Sequence, residues 1–360
     1  MINLGVIFGG KSVEHDISIL SYFQALEALN IKKYNIIPIY FGKDNKISIS
    51  KEYLKIDTFK SDKKIKKQDI IFINKNNNKY IKTKFKKIKI DICLVIMHGK
   101  DLEDGTIKGF LKTLNVPNTL LPVEISSVLH DKYFCKLALN DINIQTLKAS
   151  LVTKNISYNS KYEKKIMKCC KLGSSIGVYK INSYEEYQKA LNECFKYDDR
   201  VILEERLDNY IEYNQAVYLK GNDVRLSAIE EIKSVDNELY TFNKKYENGK
   251  VSRKVSPDIS LELEQEINKI TTKIAKHFNI TSVIRIDYIF DLDSLKLYVN
   301  EVNVIPGSLS YYLFEKKGIY FSNLLDDIID NGFKNYYFES NEINCFKSNV
   351  LFLNKNNKIK

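Results

Sequence analysis

A chain of 360 residues exceeds what one compact core can bury, so two or three domains are expected. Its 44% apolar and 28% charged residues give the balance of an ordinary soluble globular protein. No stretch approaches the roughly 18 apolar residues of a membrane span, and "MINLGVIFGG" has no basic segment before a long apolar one, so neither a membrane helix nor a signal peptide is expected.

Six cysteines without CxxC spacing fit reduced thiols in a cytoplasm, and four scattered histidines argue against a zinc site. The net charge of +11 is concentrated between Lys51 and Lys89, with 14 Lys against 4 Asp or Glu. A nucleic-acid groove is one reading. A solvated, lysine-rich hairpin is the preferred one, because no glycine-flanked aromatic platforms accompany the charge.

In chain order, "INLGVIFGG" predicts a strand closed by a double glycine, and "ISILSYFQALEALN" a helix. "YNIIPIYF" and "DICLVIMHG" add two strands, separated by the basic stretch whose "IIFINKNNNKYIKTKF" predicts strand, Asn-rich turn, strand. This order fits an open α/β sheet over residues 1–121, with ligands beyond the carboxyl ends of the strands. A second block, 122–203, holds the helix "DKYFCKLALNDIN", a strand in "TLKASLVTK", and strand, glycine loop, strand in "KKIMKCCKLGSSIGVYKI". The helix 183–197 opens on a capping box, Ser183 with Glu186. A third block, 204–346, holds long strands, the helix "LELEQEINKITTKIAKHFN" and a closing hairpin, "VIRIDYIFDLDSLKLYVNEVNV". The tail 347–360 is expected to fray. The fold class is mixed α/β in three domains.

Chemistry concentrates in that hairpin. Leu297, Val299, Glu301 and Asn303 stand at every second position, so alternation puts them on one strand face. Arg285 and Asp287 share a face of the preceding strand, and a tight turn brings Asp287 opposite a residue near 300. Two carboxylates and an amide, without His or Cys, suit Mg²⁺ bound jointly with a phosphate; ordinary polar residues on an exposed edge are the alternative. "KLGSSIGVYK" sets Gly173, Ser174, Ser175 and Gly177 between strands, where backbone N–H groups approach phosphate or where the chain simply turns. Lys132 and Lys168 could add positive charge. "FGGKSVEHDIS" puts Glu14 at a helix start, as an anion site or a cap, and "HGKDLEDGTIKGFL" repeats the arrangement after His98. Neither decides a function alone.

Together and in order, "VIFGGKSVEHDIS", "HGKDLEDGTIKGFLKTLNVPNT", "DK", "KLGSSIGV", "KKY" and "RIDYIF…LYVNEVNVIPG" resemble the D-alanine–D-alanine ligases of the ATP-grasp superfamily, over most of residues 1–330. The resemblance implies a three-domain ATP-grasp fold with an open N-terminal α/β domain. It implies that ATP phosphorylates one D-alanine, that the amine of a second attacks the acyl phosphate, and that the dipeptide serves peptidoglycan precursor synthesis. It also implies two Mg²⁺ (or Mn²⁺), small-molecule substrates without nucleic acid or membrane, a homodimer and a cytoplasmic location.

Carried over by position, Asp287, Glu301 and Asn303 match the metal ligands, and Arg285 with the Gly307 N–H the groups that stabilise the oxyanion. Glu14 matches the carboxylate that holds the first D-alanine's ammonium, with Ser174 and Tyr246 as its partners. Lys132, Lys168, Ser175 and Lys245 match the phosphate-binding positions. Glu204 and Leu207 match the adenine-side strand, and Glu212 the ribose carboxylate. Tyr246 in "LYTFNKKYENG" accompanies D-alanine as second substrate in the family.

The chain departs from the family pattern in three places. Cys169-Cys170 replace a proline and a small residue, and Glu205-Arg206 replace a lysine-aromatic pair near adenine. Tyr312 stands where the family has the serine that binds the second substrate's carboxylate. Ser310 and the Tyr312 hydroxyl are the candidate substitutes, and another acceptor such as D-serine is the alternative reading.

Overall fold

The computed structural model describes residues 1–60, 65–75, 78–154, 164–174, 176–234 and 251–343, with 345 and 348. Strand β1 (Ile2–Gly9) is apolar nearly throughout and buried from Leu4 onward, the pattern of a strand covered on both faces. It pairs in parallel with β2 (Tyr34–Phe41) and, on its other side, with β8 (Ile92–Met97). β3 (Ile47–Ile49) and β4 (Gln68–Asp69) extend the edge antiparallel, giving the order β4-β3-β2-β1-β8. Helix α1 (His15–Ala28) connects β1 to β2, so this is the open α/β sheet read from the sequence.

Strands β5 (Ile71–Lys75), β6 (Asn78–Lys82) and β7 (Lys87–Lys89) form a separate small antiparallel sheet. Lys82, Lys84, Lys86 and Lys87 are all exposed on it, a solvated surface. Three helices follow β8, namely α2 (Thr106–Thr113), α3 (Val123–His130) and α4 (Lys132–Asp141).

The middle sheet is antiparallel throughout. It comprises β9 (Ala149–Thr153), β10 (Lys165–Cys169), β11 (Val178–Ile181) and β12 (Arg200–Glu205), in the order β11-β10-β12-β9. Helix α5 (Tyr184–Cys194) covers it, and the Ser183 hydroxyl accepts the Glu186 N–H at 3.2 Å. The Glu186 carboxylate reaches back to the Asn182 N–H at 2.7 Å, one residue beyond the position a capping box specifies.

The third sheet contains β13 (Tyr210–Lys220), β14 (Asp223–Ser234), β15 (Val251–Val255), β16 (Ile284–Asp291) and β17 (Lys296–Asn303), in the order β15-β14-β13-β16-β17. Helix α6 (Leu261–His277) lies on one face, where Thr271 bonds both Gln215 and the Tyr288 hydroxyl at 2.7 Å. Helix α7 (Tyr311–Glu315) and the long α8 (Phe321–Asn341) follow. α8 returns to the first sheet, where the Tyr34 hydroxyl donates to Asp326 at 2.5 Å and Lys108 pairs with Glu339 at 2.9 Å. At Gly332 a Cβ would lie 2.8 Å from the Asn118 carbonyl oxygen, so the contact requires glycine.

One expectation needs correction. Asp287 pairs with Glu301, but Tyr288 pairs with Val299, leaving Asn300 as the extra residue of a β-bulge. The bulge reverses the alternation, so Leu297 and Val299 face the core while Glu301 and Asn303 join Asp287 and Arg285 on the other face. The four residues do not share one side of the strand. Glu301 is thereby spared burial among apolar side chains.

The first and third sheets share a single apolar core together with α8. The middle sheet has its own, built from residues such as Val152, Met167, Tyr187, Val201 and Leu203. All six cysteines are free, and only Cys345 is exposed. Among the described residues no helix is long and apolar enough to cross a membrane.

Candidate active site

Glu14 occupies the residue before α1, yet its side chain caps nothing in that helix. Instead it accepts a hydrogen bond from the Ser174 hydroxyl across 160 residues of chain. The loop passes close beside it, and a Cβ on Gly173 would lie 3.1 Å from the Glu14 carboxylate and press it aside by a few tenths of an ångström. Ser174 itself has a left-handed backbone, φ 54°. Glu14 is buried at 9% exposure and lines a cleft together with Arg285, Asn303, Gly307 and Tyr312.

A neighbouring cleft opens between the middle and third sheets. It is lined by Lys132, Lys168, Glu204, Leu207 and Glu212, together with Asp287 and Glu301. Lys132 begins α4, whose N-terminus is fixed by the Asp131 carboxylate accepting the N–H groups of Tyr133 and Phe134 at 3.0 and 3.1 Å. Its ammonium donates to the Leu172 carbonyl at 2.6 Å and lies 3.2 Å from Glu301. Burial pulls this lysine toward the neutral form, but the Glu301 carboxylate outweighs it and holds its pKa above the usual value.

Glu204 is 1% exposed and is paired twice, with Lys136 at 2.7 Å and Lys168 at 2.5 Å. Burial would raise its pKa, but the two ammoniums dominate and lower it. Lys168 also donates to Asn300, the bulge residue, at 2.9 Å. Glu204 therefore orients the lysine facing the cleft, with each of its oxygens beside an ammonium.

On the third sheet, Arg285 grips Asp287 with two bonds of 2.6 and 2.7 Å, and the Asn303 amide donates to Asp287 at 3.1 Å. Burial opposes the guanidinium charge, but the neighbouring Asp287 carboxylate favours it, and the pKa of Arg285 lies above the ordinary range. The donor set passes a chemical test for a hard cation. It offers two carboxylates and an amide oxygen once Asn303 turns, and a cation here would take the place of the Arg285 and Asn303 donors on Asp287. Among the described residues no group of three or more His, Cys, Asp or Glu could hold a metal ion.

Beyond β17, Tyr312 lines the same cleft as Glu14 and donates to Glu230 at 2.9 Å. Ser310 is buried at 1% exposure, its hydroxyl has no hydrogen-bond partner, and it does not line the cleft. Between Gly307 and these residues the chain makes a turn in which Ser308, Leu309 and Ser310 have φ of 53°, 50° and 49°. Such a conformation costs an L-residue about 1–2 kcal/mol. Ser175, Lys245 and Tyr246 lie outside the described residues, as does the 347–360 tail apart from Ser348.

Sequence reasoning missed several participants. Lys136 stands four residues after Lys132, a spacing that puts both on one helix face. Glu103, in "HGKDLEDG", is buried and accepts the N–H groups of Gly99 at 3.1 Å and Ile305 at 3.3 Å. Burial and the neighbouring Glu14 carboxylate push its pKa up to about 8. Glu230, which accepts from Tyr312, and Arg253, which lines both clefts, carried no local signal at all.

The family model described as D-ala D-ala ligase N-terminus matches residues 3–119, and the one described as D-ala D-ala ligase C-terminus matches 141–330. The chain is 37% identical to a D-alanine–D-alanine ligase of Thermosipho africanus, over 98% of this chain and 99% of that protein. The ligase of Thermosipho melanesiensis is 34% identical, over 98% of each. In fold the chain is similar to the Coxiella burnetii D-alanine-D-alanine ligase, with a TM-score of 0.82 at 24% identity, covering 94% of this chain and 96% of that one. It is also similar to the VanG D-Ala:D-Ser ligase of Enterococcus faecalis, with a TM-score of 0.78 at 24% identity, covering 92% and 99%. The chain belongs to the D-alanine–D-alanine ligase family.

Proposed function

We propose that the chain is an ATP-dependent ligase that joins two D-alanines through a D-alanyl phosphate, releasing ADP and phosphate. The observation that carries this reading is the meeting of two clefts at Arg285. One holds Glu14 and Ser174, and the other holds Asp287, Glu301 and the lysines of the middle sheet. A carboxylate is a poor acyl donor, and positioning beside a phosphoryl donor is what such a junction provides.

Glu14 receives the ammonium of the first D-alanine. Lys132 and Lys168, with Ser175 and Lys245, hold the nucleotide phosphates, while Leu207 and Glu212 flank its adenosine. Arg285 and the Gly307 N–H stabilise the charge on the carbonyl oxygen as the second amine attacks. Asp287, Glu301 and Asn303 would hold two Mg²⁺ or Mn²⁺, which supply charge neutralisation on the phosphates. Ser174 and Tyr246, as the partners of Glu14, serve to close the active-site loop over the substrates. The protein acts in the cytoplasm as a homodimer, with domains divided near residues 121 and 203.

A second reading keeps the chemistry and changes the acceptor to one such as D-serine. It rests on Tyr312, whose hydroxyl is committed to Glu230 where the family has a serine. Phosphate release measured with D-alanine alone, and then with D-alanine beside other D-amino acids, separates the two. Turnover with D-alanine alone supports the first reading, and turnover only with another acceptor supports the second. Absence of both defeats the proposal.

A further inference from the structure

The turn after β17 is built from residues that would not choose its shape. Ser308, Leu309 and Ser310 are consecutive, none is glycine, and all three have left-handed backbones. Left-handed runs are rare in L-residues because Cβ crowds the following carbonyl, so the surroundings must impose the conformation.

Those surroundings come from the N-terminal part of the chain. The Ser308 N–H donates to the Ser21 hydroxyl oxygen at 2.9 Å, and the Ser308 hydroxyl donates to the Gln24 side-chain oxygen. Three residues earlier, the Ile305 peptide is held on both sides. Its N–H donates to Glu103 at 3.3 Å, and its carbonyl lies 2.8 Å from His98 Nδ1. That contact fixes the imidazole tautomer. Nδ1 must carry the proton to donate to a carbonyl, so Nε2 is the acceptor for the Ser21 hydroxyl, 3.1 Å away. Ser21 thus donates to His98 while accepting from Ser308, and one continuous network fixes residues 305 and 308. Gly307 lies between them.

We propose that Ser308–Ser310 form a strained positioning turn, held in its left-handed shape by Ser21, Gln24, His98 and Glu103, and that this turn aims the Gly307 N–H into the substrate cleft. The four residues are positioning residues, acting through the backbone of 305–308. The ligase machinery of the third sheet is then complete only while α1 and the end of β8 are docked against it. The assignment of Gly307 to the oxyanion rests on the ligase reading; the strained turn and its restraint do not.

The test uses the full chain with Gln24→Ala, alone and combined with Ser308→Gly. Glycine takes the left-handed region without penalty, so it relieves the need for restraint. Gln24→Ala should lower kcat by about tenfold with the KM for ATP unchanged, and the added Ser308→Gly should recover most of that loss, an outcome mere loss of packing would not give. Hydrogen exchange at the Leu309 amide, which donates to the Pro306 carbonyl at 2.8 Å, gives a readout that needs no turnover. It should quicken in Gln24→Ala and slow again in the double variant. Unchanged kcat and exchange in Gln24→Ala would overturn the proposal, and so would a double variant no better than the single one. Should Gln24→Ala melt below the assay temperature, Ser21→Ala takes its place in the same pair of measurements. A wild-type chain without D-alanine turnover would count against the ligase reading, while the exchange measurement would still decide the turn.

Discussion

The Lys132 ammonium lies 3.2 Å from the Glu301 carboxylate, one at the start of α4 and the other just past the bulge in β17. Both line the cleft between the middle and third sheets, and the Glu301 carboxylate helps to keep the Lys132 ammonium charged against its burial. Replacing Glu301 by Gln removes a proposed metal ligand and leaves a buried ammonium without its counter-charge. ADP formation should fall by about a hundredfold to a thousandfold or more, the scale of a lost electrostatic contact to the transition state. The circular dichroism spectrum should be preserved. Normal turnover in Glu301→Gln would refute the metal assignment.

Glu204 tests a different kind of role. Its carboxylate is the shared partner of Lys136 and Lys168, all three with little exposure. Glu204→Ala leaves two buried ammoniums unpaired, so stability should drop by roughly 3–5 kcal/mol, the range for breaking a buried pair by removing one partner. Urea titration measures the loss. A change near zero would mean that water reaches the lysines and replaces the carboxylate.

Glu103 makes stability depend on pH. Burial and Glu14 raise its carboxyl from 4.5 to about 8 on folding. Between those values the folded chain keeps a proton that the unfolded chain has released, so this group's contribution to stability falls as pH rises through the window. Glu103→Gln abolishes that titration. The melting temperature of the wild type, taken relative to the variant, should decline from pH 5 to pH 8.5; a flat difference would show that Glu103 is ionised throughout.

Tyr312→Phe removes the hydroxyl bound to Glu230 and keeps the ring in the cleft wall. If that hydroxyl takes the role of the family serine, the KM for the second amino acid should rise by about tenfold or more, the worth of a hydrogen bond to a charged group. The KM for ATP should not change. Equal acceptor KM values in wild type and variant would exclude the hydroxyl from substrate binding.

Much of this was legible beforehand because its signals are local. The buried parallel strand β1, the antiparallel pair β16 and β17, and the helix opened by Ser183 each follow from a few adjacent residues. The face of Glu301 was not legible. Strict alternation puts it beside Val299, and one inserted residue, Asn300, reverses the sides. A bulge in a strand free of glycine and proline leaves no compositional trace. The partners of Glu14 and Ile305 were hidden for another reason. Ser174 and Glu103 lie 160 and 202 residues away in sequence, so only the folded chain brings them together. Resemblance supplied Ser174, whereas Glu103 passed as part of a helix start.

The division of the apolar core has a thermodynamic consequence. Residues of the first and third sheets bury one another, while the middle sheet closes on a core of its own. Cooperative unfolding follows such boundaries, so the middle sheet is the segment able to open while the remainder stays native. One wall of the proposed nucleotide cleft belongs to each unit: Lys168 and Glu204 to the smaller, Asp287 and Asn300 to the larger. A ligand spanning that cleft binds only when both are folded and apposed, so its binding energy is shared between them and two melting steps should merge into one.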